Sequence, residues 1–146
     1  MPSWRNSLLI LALLGFQAFA QTPPAPSAPG AEVFIQSPLD GAKVGPSFVV
    51  RFGLAGMGVA PAGVDQPNTG HHHLLIDSAE MPALDMPLPA TDNVVHFGKG
   101  QTETTVTLGP GDHTLQLVLG DYLHRPHDPP LISAPITVTV VESETD

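Results

Sequence analysis

The chain has 146 residues, 14 acidic side chains against 5 basic ones, a formal net charge of −9 and no cysteine. An acidic surface argues against nucleic acid or anionic lipid as partner, because both would be repelled, and is compatible with attracting cations. Without thiols there are no disulfide staples and no thiolate chemistry, so a soft-metal ligand here has to be His or Met.

In chain order, the first segment reads as an export signal over residues 1–20. MPSWRN holds one Arg and no acid, SLLILALLGF is uninterrupted and apolar, and AFA before Gln21 is a small-x-small cleavage site. The apolar run is too short to span a bilayer and no later run approaches it. The expectation is a periplasmic or secreted protein with no membrane insertion after cleavage. Residues 21–31, QTPPAPSAPGA, have no large apolar side chain and read as an extended Pro/Ala-rich spacer. Residues 142–146, ESETD, form an acidic tail. Residues 32–141 remain for one domain, enough for one core.

That domain alternates in short runs punctuated by Pro and Gly, with no long helical period. EVFIQSP is the first predicted strand. SFVVRFGL is the second, with Phe48, Val50 and Phe52 on one face. HHHLLID, NVVHFG and TETTVTL follow. DHTLQLVLG is the sixth, with Leu115, Leu117 and Leu119 facing in and Thr114, Gln116 and Val118 facing out. APITVTVV closes the series, with Ile136, Val138 and Val140 in register. About seven antiparallel strands in this length predict an all-β, immunoglobulin-like β-sandwich. SPLDGAKVGPSFVVRF resembles the opening hairpin of many secreted immunoglobulin-like domains, including periplasmic copper carriers of the CopC type. LGPGDHTLQL resembles the corner before the sixth strand, with His113 where such domains often carry Tyr.

The fold predicts a convergence. Loops two–three and six–seven of such a sandwich lie at the same end, and the turn after the fourth strand is expected there too. His71, His72 and His73, then His96, then His124 and His127 should approach that end, and His113 the other. His71 and His73 are two apart on a strand and share a face, with Cα atoms roughly 6.5–7 Å apart; His72 points the other way. HRPHD carries His124 and His127 in a loop stiffened by Pro126, Pro129 and Pro130, which reduces the entropy lost on binding. Asp121 and Asp128 are candidate acceptors to orient a ring. HFGKGQTE adds His96, with Glu103 as a hydrogen-bond partner; it has neither the Walker spacing nor a following helix of a phosphate loop. The blander reading of each histidine is a polar residue at a strand end or a rigid loop, bonded to carbonyls. For His113, Met81 and Met86 that structural reading is preferred.

No catalytic set is named. G-x-S-x-G and H-E-x-x-H are absent. A histidine-brace oxygenase needs His as first mature residue, where cleavage leaves Gln21. GHHHLLID, HFGKGQTE, LGPGDHTLQLVLGD and HRPHDPP, in this order, resemble the small exported bacterial proteins grouped as domain of unknown function 4399. The resemblance covers about Gly70 to Val140. It implies an exported single domain and supplies no activity.

The residues point to a carrier or buffer of a metal ion, bound by some of His71, His73, His96, His124 and His127. Imidazoles without thiolates suit Cu(II), Zn(II) or Ni(II); copper ranks first by affinity and zinc second. An envelope protein is the expected further partner. Two other classes stand beside this one: a module for a polar ligand or partner protein, with imidazoles aimed at separate points, and a structural envelope domain, with each imidazole satisfied by the backbone. An enzyme is least favoured.

Overall fold

The computed structural model describes residues 22–142. The expected signal peptide and most of the acidic tail lie outside them. Nine strands form among the described residues: β1 (Glu32–Ser37), β2 (Lys43–Val44), β3 (Ser47–Ala55), β4 (Gly58–Val59), β5 (Thr69–Ile76), β6 (Val94–His96), β7 (Glu103–Thr107), β8 (Gly111–Gly120) and β9 (Ile136–Val140). One sheet has the order β1-β3-β7. The other runs β2-β9-β8-β5-β4, with β6 also paired to β5. The small sheet corresponds to strands A, B and E of an immunoglobulin sandwich, and β5, β8 and β9 to C, F and G. The protein is therefore an all-β, immunoglobulin-like sandwich.

All seven expected strands are present. Two more, β2 and β4, are two residues long and pair in parallel with β9 and β5. The seven expected strands pair antiparallel, as expected, and the two added ones mark places where a loop runs briefly beside a strand.

Apolar alternation builds the core. Val50 and Phe52 of β3, Leu74 of β5, Leu115, Leu117 and Leu119 of β8 and Val138 of β9 meet between the sheets. Val118 was expected to face solvent, yet it is fully buried. It does leave the sandwich interior, but a second, smaller core covers it: Leu75, Leu88, Val94 and Val118, with Ile132 packed on them. The connections after β5 and β8 supply Leu88 and Ile132, so the larger sheet is apolar on part of its outer face as well.

Strand β5 is thus buried on both sides, Gly70 through Leu75 without a break. It sits between β8 and β6, with His73 opposite Val118 on one neighbour and opposite His96 on the other. The segment read as a spacer is extended, in keeping with its composition. It is also tied to the domain: Ser27 N–H donates to the Asp128 carbonyl at 3.1 Å, and Asp128 N–H to the Ala25 carbonyl at 3.0 Å.

Leu117 is enclosed on every side. Leu117→Ala is expected to destabilise the domain by about 2–5 kcal/mol, read as a lower urea midpoint with an unchanged slope. A loss below ~1 kcal/mol would show that this site collapses readily.

Candidate metal centre

The pleat of β5 sends His71 and His73 to the outer face of the larger sheet and His72 inward. His72 lies against Phe52, ring centroids 5.1 Å apart. On the outer face, His96 stands directly across from His73, and opposed residues share a face. His124 arrives from the loop after β8. The four rings form one cluster, with centroid separations of 4.8 Å for 71–73, 5.0 Å for 71–96, 5.1 Å for 71–124 and 5.1 Å for 73–96. His73 and His124 are 6.2 Å apart, and His96 and His124 4.7 Å. The cluster occupies the sheet face where β5 begins and β8 ends, rather than the loops beyond the end of the sandwich.

One ring nitrogen from each of His71, His73, His96 and His124 lies within 4.8 Å of the other three. A tetrahedral ion with metal–nitrogen bonds of about 2.0–2.1 Å places its ligands roughly 3.4 Å apart, so the rings would draw together around it. The four histidines could hold a metal ion. His71 Nε2 and His124 Nδ1 already face each other at 3.1 Å. The Nδ1 atoms of His71 and His73 and Nε2 of His96 are buried with no hydrogen-bond partner. Buried polar atoms without partners are destabilising and rare.

His127, the fifth candidate, is a correction. Its Nε2 bonds the Thr69 carbonyl at 3.0 Å and its Nδ1 faces the Leu119 carbonyl at 3.4 Å, so its ring serves the backbone and stands outside the cluster. Asp121 and Asp128 also differ from expectation. The Asp121 carboxylate is occupied by backbone N–H groups and Arg125, and none of its partners is a ring nitrogen. Asp128 works through its backbone. Glu103 pairs with Arg51 at 3.0 Å. His113 lies at the other end of β8. It bonds Asp77 Oδ2 at 2.6 Å and the Gly109 carbonyl at 2.8 Å, and the Asp77 bond raises its pKa.

Two glycines seat the rings and were not foreseen. A Cβ on Gly120 would lie 2.6 Å from His73 Cε1, and one on Gly98 2.3 Å from His96 Cε1. Gly98 could have been suspected, two positions from His96. Gly120 needs the β5–β8 register to be seen.

Burial dominates the electrostatics. Loss of hydration, then the neighbouring rings of His96 and His124, push His71 down to about 4, with Asp121 opposing. Burial, then His71, His96 and His124, push His73 to about 3. Burial takes His72 to about 4. His96 is also lowered, by burial and then by His124. At neutral pH the His71 and His73 rings are free bases, the form that binds metals.

The family model described as "Domain of unknown function (DUF4399)" matches residues 50–141. The chain belongs to this family. The match takes in every histidine of the cluster, and the description assigns DUF4399 no function. No curated protein matches the sequence. Among solved structures, fibronectin(III)-like modules of Clostridium thermocellum CbhA align over 80% of this DUF4399 chain at 13% identity and a TM-score of 0.39. The chain spans about half of that structure, 49% of its length.

Two outcomes follow from the packing. Unfolded, these histidines titrate near 6.5; folded, His71 and His72 titrate near 4 and His73 near 3. In that window the unfolded chain binds more protons, so stability should fall as pH drops below 6.5 and continue falling toward 3. Urea midpoints that stay level from pH 7 to pH 4 would contradict this. Gly120→Ala, by driving a methyl into His73, should destabilise by about 1–3 kcal/mol, and a shift of the His73 ring signals by NMR should accompany it.

Proposed function

We propose that this domain binds a transition-metal ion, copper first and zinc second, as a carrier or buffer, through His71, His73, His96 and His124. The observation that carries this reading is one fact: four imidazoles converge while three of them keep a buried nitrogen without a partner. Unpartnered nitrogens alone do not mark the site, since His72 has two and faces Phe52 on the other side of the sheet; the convergence of the four rings does. His113 and His127 each use both ring nitrogens on oxygen atoms. A module for a polar ligand would aim its rings at separate points, and these meet.

The donor set consists of imidazoles alone, which favours copper in the affinity order and accepts zinc. The depressed pKa values of His71, His73 and His96 keep proton competition low at those three rings, so binding should depend weakly on pH above 6.5. The ion is cargo in this reading, and residues around it supply no nucleophile or acid–base pair for turnover. The N-terminal signal supports a periplasmic or secreted setting, where an envelope protein would donate or receive the ion.

Calorimetric titration of the mature protein with Cu(II) and with Zn(II) tests the proposal. Binding tighter than ~10 μM is expected, equivalent to about −7 kcal/mol. The His71→Ala/His73→Ala variant should lose at least ~10–100-fold, the scale of disturbing a metal's surroundings, and His127→Ala should leave the affinity nearly unchanged. Weaker binding by the natural chain, or equal binding by the double variant, overturns the reading.

A further inference from the structure

We infer that the proline-rich segment from Thr22 to Ser27 is a working part of the histidine centre: it positions His124 through Asp121 and Arg125. The inference rests on the metal reading above and adds positioning residues that lie outside the cluster.

His124 has a φ of 65°. For a residue with a Cβ this left-handed backbone is unfavourable, and it persists where the surroundings over-determine it. Here they do. The Asp121 carboxylate, 1% exposed, receives the N–H groups of Leu123 at 2.8 Å and Arg125 at 3.0 Å on one oxygen. Its other oxygen receives the Arg125 guanidinium at 3.2 Å and the Ala25 N–H at 3.3 Å. His124 N–H donates to the Asp121 carbonyl at 2.9 Å, and Asp121 N–H to the Arg125 carbonyl at 2.7 Å. These bonds close the turn that presents the ring.

The proline segment completes the set. The Arg125 guanidinium also donates to the carbonyls of Thr22 and Pro23. Beyond Ala25, Ser27 Oγ donates to the Pro129 carbonyl at 2.8 Å, and backbone bonds join Ala25 and Ser27 to Asp128. The segment therefore grips the His124 loop on both sides of the histidine. Pro23, Pro24 and Pro26 hold it extended with little conformational freedom to lose. From the opposite side, Leu88 N–H donates to the His124 carbonyl at 2.8 Å. A ligand fixed before the ion arrives binds with less ordering cost.

The test is a double-mutant cycle in the full chain. Pro23→Gly/Pro24→Gly/Pro26→Gly loosens the segment and leaves every backbone carbonyl and the buried Asp121–Arg125 pair in place. Arg125→Gln is the companion, with Arg125→Lys for partial rescue. Each is read by Zn(II) calorimetry, by the visible spectrum of the Co(II)-substituted protein, and by the urea midpoint. The triple-glycine variant should weaken Zn(II) by ~10-fold, the scale of an outer-shell change, and alter the Co(II) spectrum. In a His124→Ala background the same change should weaken binding by less than ~2-fold. Equal weakening in both backgrounds, or none in either, overturns the positioning role while the metal reading stands. Failure of the natural chain to bind Zn(II), Cu(II) or Co(II) brings down both.

Discussion

The pleat of β5 is the constraint on which the rest of the molecule depends. Successive residues of a strand point to opposite faces, so His71 and His73 must share one side and His72 and Leu74 the other. Ladders to β8 and β6 fix that register from both edges. A slip by one residue would exchange the faces. It would put His72 where two histidines of the cluster now stand and thrust two imidazoles against Phe52. Apolar residues guard against the slip: Leu74 belongs to the main core and Leu75 to the outer one.

The centre itself opposes folding. His71 and His73 have lost their water, ring nitrogens of His71, His73 and His96 found nothing in its place, and His124 sits in an unfavourable backbone region. Two apolar clusters, one on each face of β5, offset these terms. Sites that violate local rules while the remainder obeys them are where function concentrates. The contrast within the chain sharpens the point. Outside the cluster, His113 and His127 have both ring nitrogens facing oxygen atoms, and His72, though without partners, faces Phe52 on the other side of the sheet.

Alternation made the seven longer strands legible, because six of them run five residues or more and β6, at three, still pairs apolar residues with a histidine. Strands β2 and β4 were invisible, being too short for any pattern. The direction of each β8 side chain was also legible, but its exposure was not. Val118 points away from the sandwich as its position demands, and only the packed loops show that it is buried. The same gap separates His127 from His124. Both stand in HRPH, and nothing local tells that the carbonyls of Thr69 and Leu119 take one ring while the other joins the cluster. The role of residues 22–27 was illegible for a related reason. Most of its attachments run through backbone groups, which leave no mark on side-chain composition.

His71 and His124 are 53 positions apart in the chain and hydrogen-bonded in space. The complete ligand set is therefore a property of the folded state alone. On the metal reading, occupancy and folding become a single equilibrium. Free ion at 100 times its dissociation constant would add about 2.7 kcal/mol to stability. Copies without ion open more often and are the first available to proteases. The abundance of the protein would then track the supply of its cargo, with no separate sensor to set it.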